Sequence, residues 1–256
     1  MISIRKLFAP RALALGLVAP FALTIAACNG DAEGGDAVVG DAIAAIPAPA
    51  GTSWTEVVNV SDEGGYVLGN PDAPLKVVEY GSLTCPACAA FSEEGMSPLI
   101  ENYVSKGTVS FEFRSFLIHG SLDLALTRLI GCSAPEAAIP LSDQVWANLS
   151  EIQEKAYANQ AALQSISSLP ENERFVKYGE LTGLYDFFAA RGISEDQARQ
   201  CLGDFASLER LAKFSEGYTA EGIDRTPTFL LNGKKLDASG WATLEPILQR
   251  AGARTK

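Results

Sequence analysis

Cys85 and Cys88 stand three residues apart in Thr84-Cys85-Pro86-Ala87-Cys88. Two thiols at that spacing suit a reversible disulfide, half of a zinc site, or two unrelated buried cysteines. A tetrahedral zinc site needs four ligands. The chain has no second Cys-x-x-Cys, and its single histidine is His119. Redox chemistry is the reading that fits. Pro86 suits the first helical position, because its ring presets φ and its missing N–H would be unpaired there anyway. That places Cys85 at the N-cap, where a sulfur faces unpaired backbone N–H groups and the positive end of the helix dipole. Both favour thiolate over thiol, and the thiolate is the species that attacks and leaves in thiol–disulfide exchange. Cys88 lies one turn on over the same face. It could close a disulfide with Cys85 or resolve a mixed disulfide, and is expected to be the more buried of the two.

Positioning those sulfurs takes a strand that ends where the helix begins. Residues 75–81 are almost continuously apolar, as in a strand covered on both faces. A helix is predicted over 86–106, kinked near Gly95 to Pro98. Val109, Phe111 and Phe113 then alternate in a strand over 108–116. Upstream, Tyr66-Val67-Leu68 is a short strand, followed by breakers at 69–74. The stretch 121–217 carries helical patterning such as Leu122-Ala125-Leu126-Leu129. At about ninety residues it is too long for a loop and predicts a helical subdomain. Asn232-Gly233 predicts a hairpin turn of the primed type between two strands, and a last helix is predicted over 241–251.

From the residues around the two cysteines, the chain resembles the thioredoxin superfamily, and Thr84-Cys85-Pro86-Ala87-Cys88 resembles its DsbA-like thiol:disulfide oxidoreductases. The resemblance implies an α/β fold, a thioredoxin fold with an inserted helical subdomain. It implies that Glu79, six residues before Cys85, is a buried acid assisting proton movement at the second cysteine. It also implies that Thr226-Pro227-Thr228-Phe229 is the cis-proline loop beside the sulfurs, with Thr226 offering its backbone to an extended substrate. The dipeptide between the cysteines is Pro86-Ala87, without the histidine of the DsbA type, so a Cys85 pKa of about 4.5–6 is expected. Thr226 resembles isomerases as much as oxidases, which leaves the direction open. The partners implied are exported cysteine-containing proteins and a membrane redox partner that regenerates the disulfide. No cofactor is expected. A different class, a Cu(I) or thiol-ligand carrier using both cysteines, stays open on thiolate chemistry. Against it, the chain has two Met and one His, too few for a metal-handling surface.

The N-terminus reads as an export signal: Arg5, Lys6 and Arg11, an apolar run over 12–26, then Ile25-Ala26-Ala27-Cys28. That end resembles a bacterial lipobox, which would make Cys28 a lipid-bearing first residue and give membrane attachment through lipid only. The other reading is an ordinary cleavage site with an incidental Cys28. Residues 29–53, rich in Gly, Ala, Asp and Pro, are expected to be a flexible tether. A short helix over 38–46 used for dimerisation is the alternative. If Cys28 is acylated and Cys85 pairs with Cys88, then Cys132 and Cys201 remain, and an exported protein seldom keeps two buried free thiols. They are expected to form a structural disulfide. The expected organisation is a leader at 1–27, a tether at 28–53, the first half of the thioredoxin fold at 54–120, the insert at 121–217 and the second half at 218–256. A net charge of −11 becomes −14 when the three basic residues of the leader are removed. That excludes a nucleic-acid partner, which needs a basic face. His119 is expected to cap or pack. The glycosylation-like Asn148-Leu149-Ser150 is taken as chance.

Overall fold

The computed structural model describes residues 39–254; the leader, Cys28 and most of the expected tether lie outside the described residues. Six strands form one mixed sheet: β1 (Val58–Val60), β2 (Tyr66–Gly69), β3 (Leu75–Gly81), β4 (Val109–Ser115), β5 (Thr228–Leu231) and β6 (Lys234–Lys235). Their spatial order is β1-β2-β4-β3-β5-β6. Only β3 and β4 run parallel, and β3 lies between β4 and the antiparallel β5. The β3–helix–β4 unit and the β5–β6 hairpin with its following helix are the two halves of a thioredoxin fold. At the hairpin, Asn232 and Gly233 both take positive φ, 50° and 82°. A primed turn requires that, and Asn and Gly tolerate it best.

On β3 the side chains of Leu75, Val77 and Glu79 point into the main core, while Lys76 is exposed and Val78 half-buried on the other face. The expectation of cover on both faces therefore holds only at the C-terminal end of the strand. There a second, smaller cluster of Tyr80, Phe116, Tyr218 and Ile223 closes the back of the sheet. The edge strand β1 is not in the sequence reading. Three residues with only Val58 half-buried leave no period to detect.

The helix after β3 is continuous but not uniform. It runs α1 (Pro86–Phe91), a π turn over Ser92–Met96, α2 (Ser97–Leu99) and a second π turn over Ile100–Val104. Pro98 has no N–H to give the ladder and falls between the two wider turns, so the expected irregularity is there in the form of π turns. A Cβ on Gly95 would lie 2.8 Å from the Phe91 ring and 3.0 Å from Cβ of Trp241. The glycine lets the C-terminal helix approach.

Eight helices occupy 121–220: α3 (Ser121–Ile130), α4 (Ala138–Ala147), α5 (Leu149–Ala158), α6 (Gln160–Ser165), α7 (Glu171–Leu181), α8 (Leu184–Ala189), α9 (Glu195–Gly203) and α10 (Phe205–Ala220). They share one core with the sheet, since Leu126, Leu129, Val145 and Phe188 belong to the same buried cluster as Phe111 and Phe229. Cys132, just past α3, is bonded to Cys201 of α9, as expected from the cysteine arithmetic. The chain closes with α11 (Trp241–Arg250). No helix among the described residues is long and apolar enough to cross a membrane.

The expected tether is corrected in its second half. Residues 39–49 have no helix, and part of that stretch lies against the domain. The N–H groups of Gly40 and Ile43 donate to Arg250 and Gly252 carbonyls at 2.9 Å, and that of Ile46 to Lys106 at 2.8 Å. Trp54 Nε1 donates to the Ile46 carbonyl at 2.8 Å, and Ile43 packs on the core. Backbone pairing of this kind needs no apolar period, so composition alone reads the segment as free.

Candidate active site

β3 delivers its last residue, Gly81, to a tight turn at Ser82-Leu83-Thr84, and Cys85 then caps α1 in an extended conformation with Pro86 at the first helical position. The local chemistry dictates this: Pro86 can start a helix but not continue a strand ladder. Cys88, one turn further, is fully buried, while Cys85 keeps 6% of its surface. Both are free thiols. Pro86 and Ala87 face solvent. The order of exposure is the expected one, with the accessible sulfur first.

β5 brings the second half of the site. Its register pairs Glu79 with Phe229 and Tyr80 with Thr228, so residues just before β5 lie across from the C-terminal end of β3. There the Thr226–Pro227 bond is cis. The Cys85 thiol points at the Thr226 carbonyl, 3.5 Å away, and the Phe91 and Phe229 rings lock the two elements edge to face at 4.7 Å. The sequence motifs at 79, 85–88 and 226–227 thus converge.

Cys85 has its pKa lowered to about 5. The largest cause is the Cys88 thiol donating to it, opposed by burial and assisted by Thr226 and by the N–H groups of Cys88 and Ala87. The value falls inside the expected range, but the weighting differs from the sequence argument. The neighbouring thiol contributes more than the helix N-terminus. Cys88 moves the other way: burial pushes its pKa far up, with the proton held for Cys85 and the nearby Glu79 and Cys85 charges adding to the effect.

Glu79 is completely buried. Burial raises its pKa well above the carboxylate range; the Cys88 thiol pulls it partly back, and the Cys85 and Asp143 charges push it further up. Cys88 is close enough to interact, yet neither Glu79 oxygen has a partner in good hydrogen-bond geometry. An acid in that setting tends to keep its proton.

The sequence reading missed the groups that hold the turn before Cys85. Asp123 in the first turn of α3 is fully buried and meets Ser82, Thr84 and His119. Trp146 of α4 and Gln153 of α5 donate to the Ser82 and Thr84 carbonyls, each at 3.0 Å. Asp123 sits beside Leu122 in an apolar stripe, where one buried polar residue leaves no signature in the pattern. His119 neither caps α3, which Gly120 precedes, nor packs in the core: it is exposed, its backbone N–H donates to Asp123 at 2.9 Å and its Nδ1 lies 2.7 Å from Thr84 Oγ1. Among the described residues no group of His, Cys, Asp or Glu is arranged to hold a metal ion.

Two sulfurs with opposed affinities for a proton are what disulfide exchange requires, one to be attacked and to leave, the other to resolve. On this fold, with a cis-proline loop facing them, they define a DsbA-like thiol:disulfide oxidoreductase. The thioredoxin family model matches residues 61–250, and the chain belongs to that family. It is 27% identical over 175 residues to the disulfide bond formation protein D of Bacillus subtilis, an alignment covering 68% of this chain and 70% of that protein. A crystal structure of a protein-disulfide isomerase from Novosphingobium aromaticivorans superposes with a TM-score of 0.68 at 27% identity, covering 73% of this chain and 97% of that one. Wolbachia pipientis alpha-DsbA1 shares the fold at a TM-score of 0.57 and 20% identity, over 74% of this chain and 91% of that one.

Proposed function

We propose that this enzyme oxidises cysteine pairs of exported proteins in the bacterial cell envelope through a Cys85–Cys88 disulfide. The observation that carries the reading is the split between the two sulfurs, Cys85 lowered to about 5 and Cys88 driven upward. In the oxidised enzyme a client thiolate attacks Cys85, the more accessible sulfur. The Cys85–Cys88 bond breaks, a client–Cys85 bond forms, and Cys88 leaves with the electron pair. Glu79, whose affinity for a proton burial raises, is the group that returns a proton to the Cys88 sulfur. A second client thiolate then attacks the client sulfur of the mixed disulfide, and Cys85 leaves as the stabilised thiolate. The client is oxidised by two electrons and the enzyme reduced by two.

Direction follows from where the thiolate is stable. An enzyme that stabilises thiolate favours its own reduced form and gives up its disulfide readily. Thr226 and Pro227 line the other side of Cys85, where the Thr226 backbone suits an extended client segment. Pro86 and Ala87 supply the exposed lip of the site. The copper-carrier alternative needs both sulfurs as thiolates, and the buried, proton-retaining Cys88 weighs against it. Cys28 is the proposed lipid attachment site, holding the enzyme at a membrane beside the partner that reoxidises it. Clients reach the site in an oxidising compartment, which also suits the Cys132–Cys201 disulfide.

The test is oxidation of a reduced dithiol peptide, with the reduction potential measured alongside. Cys85→Ser should abolish peptide oxidation, and the potential should lie nearer DsbA's value of about −120 mV than thioredoxin's of about −270 mV. Retained oxidation in Cys85→Ser overturns the site. A potential near thioredoxin's overturns the direction and leaves a reductase.

A further inference from the structure

We propose that Asp123 is a positioning residue for Cys85: its buried carboxylate fixes the Ser82–Thr84 turn from which Cys85 enters the helix, so the helical insert controls the geometry of the attacking sulfur. This rests on the reading of Cys85 as the reactive sulfur. The carboxylate comes from α3, outside the thioredoxin framework, and its two oxygens are fully used. Oδ1 accepts from Ser82 Oγ at 2.8 Å, Thr84 N–H at 3.1 Å and Thr84 Oγ1 at 3.0 Å. Oδ2 accepts from the His119 N–H at 2.9 Å and Ser82 Oγ at 3.0 Å. Each oxygen therefore faces a backbone N–H, Thr84 on one side and His119 on the other.

That arrangement has a chemical consequence. A carboxylate satisfies both N–H groups, whereas an amide in either orientation turns its own NH2 toward one of them. A buried donor facing a donor costs about 1–3 kcal/mol and moves the weaker element away. The element that loses most is the turn, because four of the five bonds to the carboxylate come from Ser82 and Thr84 and one comes from His119. Ser82 adds to the clamp by accepting the Thr84 N–H at 3.1 Å while donating to Asp123. The next backbone group along, the Cys85 N–H, bonds the Ser82 carbonyl at 3.2 Å, and Trp146 donates to that same carbonyl. Loosening residues 82–84 shifts the Cys85 sulfur relative to Thr226 and to the helical N–H groups of Ala87 and Cys88, contacts that favour its thiolate. Asp123 itself does not touch the sulfur. It acts through three residues of backbone.

The experiment titrates the Cys85 thiolate by its ultraviolet absorbance in the full-length reduced protein, a readout independent of any client. Asp123→Asn should raise the Cys85 acid dissociation midpoint by roughly one pH unit, a tenfold loss of acidity, and slow peptide oxidation in proportion. Leu202→Ala, which opens a cavity in the insert where α9 meets Gly179 of α7 and touches none of the bonds to Asp123, should lower stability and leave the titration unchanged. If Asp123→Asn does not fold, Ser82→Ala removes one donor and one acceptor of the same clamp and should give a smaller shift in the same direction. A wild-type midpoint in whichever of these two variants folds overturns the proposal, as does an equal shift in Leu202→Ala. Loss of the function reading would appear instead as retained oxidation in Cys85→Ser.

Discussion

The two cysteine pairs of the described chain differ in everything that decides what a sulfur does. Cys85 and Cys88 lie on adjacent turns of one helix, are reduced, and sit in unequal surroundings. Cys132 and Cys201 are 69 residues apart, are bonded, and join the end of α3 to α9. In the chain-entropy model a ring closed over a few residues removes little freedom from the unfolded chain, whereas one closed over 69 removes up to about 4 kcal/mol. The short ring is therefore cheap to open and suits cycling. The long one stabilises and gains nothing from opening. The first pair also has groups that treat its members differently: the Thr226 carbonyl at Cys85, a buried acid near Cys88. No such asymmetry of burial marks the second pair, whose sulfurs are both half-buried beside the α3–α9 contact.

The sharpest break of this comparison is to remove the resolving member of the first pair. Cys88→Ser leaves Cys85 able to exchange but unable to hold a disulfide of its own, so dithiol oxidation should fall at least a hundredfold, on the order of the losses seen when one member of a concerted catalytic set is removed. Offered a client peptide whose cysteine is already in a disulfide with a small thiol, Cys85 should displace that thiol and keep the peptide as a mixed disulfide, visible by mass spectrometry. Turnover at the wild-type rate would remove Cys88 from the mechanism. Breaking the second pair should do the reverse. The double variant Cys132→Ser, Cys201→Ser is expected to lose about 2–4 kcal/mol of unfolding free energy while the Cys85 titration stays near its lowered value. A shift of the Cys85 midpoint in that variant would mean that the insert disulfide, through α3 and Asp123, belongs to the site as well.

What the sequence disclosed follows the same division. The redox pair was legible because its chemistry is local: Pro86 fixes the helix start, and the apolar run at 75–81 fixes the strand before it. Glu79 and Thr226-Pro227 were legible only through resemblance, since nothing in a strand residue or a Thr-Pro dipeptide announces that β5 will pair with β3. The disulfide of the insert came from counting cysteines, and the structure has it. Asp123, Trp146 and Gln153 were illegible, because their partners are backbone groups 39, 64 and 69 residues away. A backbone carbonyl has no residue type to read. The docked stretch from Gly40 to Ile46 was missed for the same reason, its contacts being N–H to carbonyl bonds that composition cannot express.

The gentlest test of the asymmetry uses pH alone. Because the folded protein lowers the Cys85 pKa from 9.0 to about 5, the thiolate stabilises the reduced fold above the unfolded-state value, and that contribution is lost as pH falls through the folded one. At pH 7, about two units above the folded midpoint, it amounts to about 3 kcal/mol. Cys88 does not offset it in this range, since its pKa moves upward and it stays a thiol in folded and unfolded chains alike below pH 8. The oxidised protein has no thiolate to lose. The difference in unfolding free energy between reduced and oxidised forms should therefore narrow by up to about 3 kcal/mol between pH 7 and pH 4.5, measured by denaturant unfolding at each pH. Reduced Cys85→Ala, lacking the titrating sulfur, should lack that part of the pH dependence. A gap that stays constant across this window would mean that the two sulfurs of the first pair are no more unequal than those of the second.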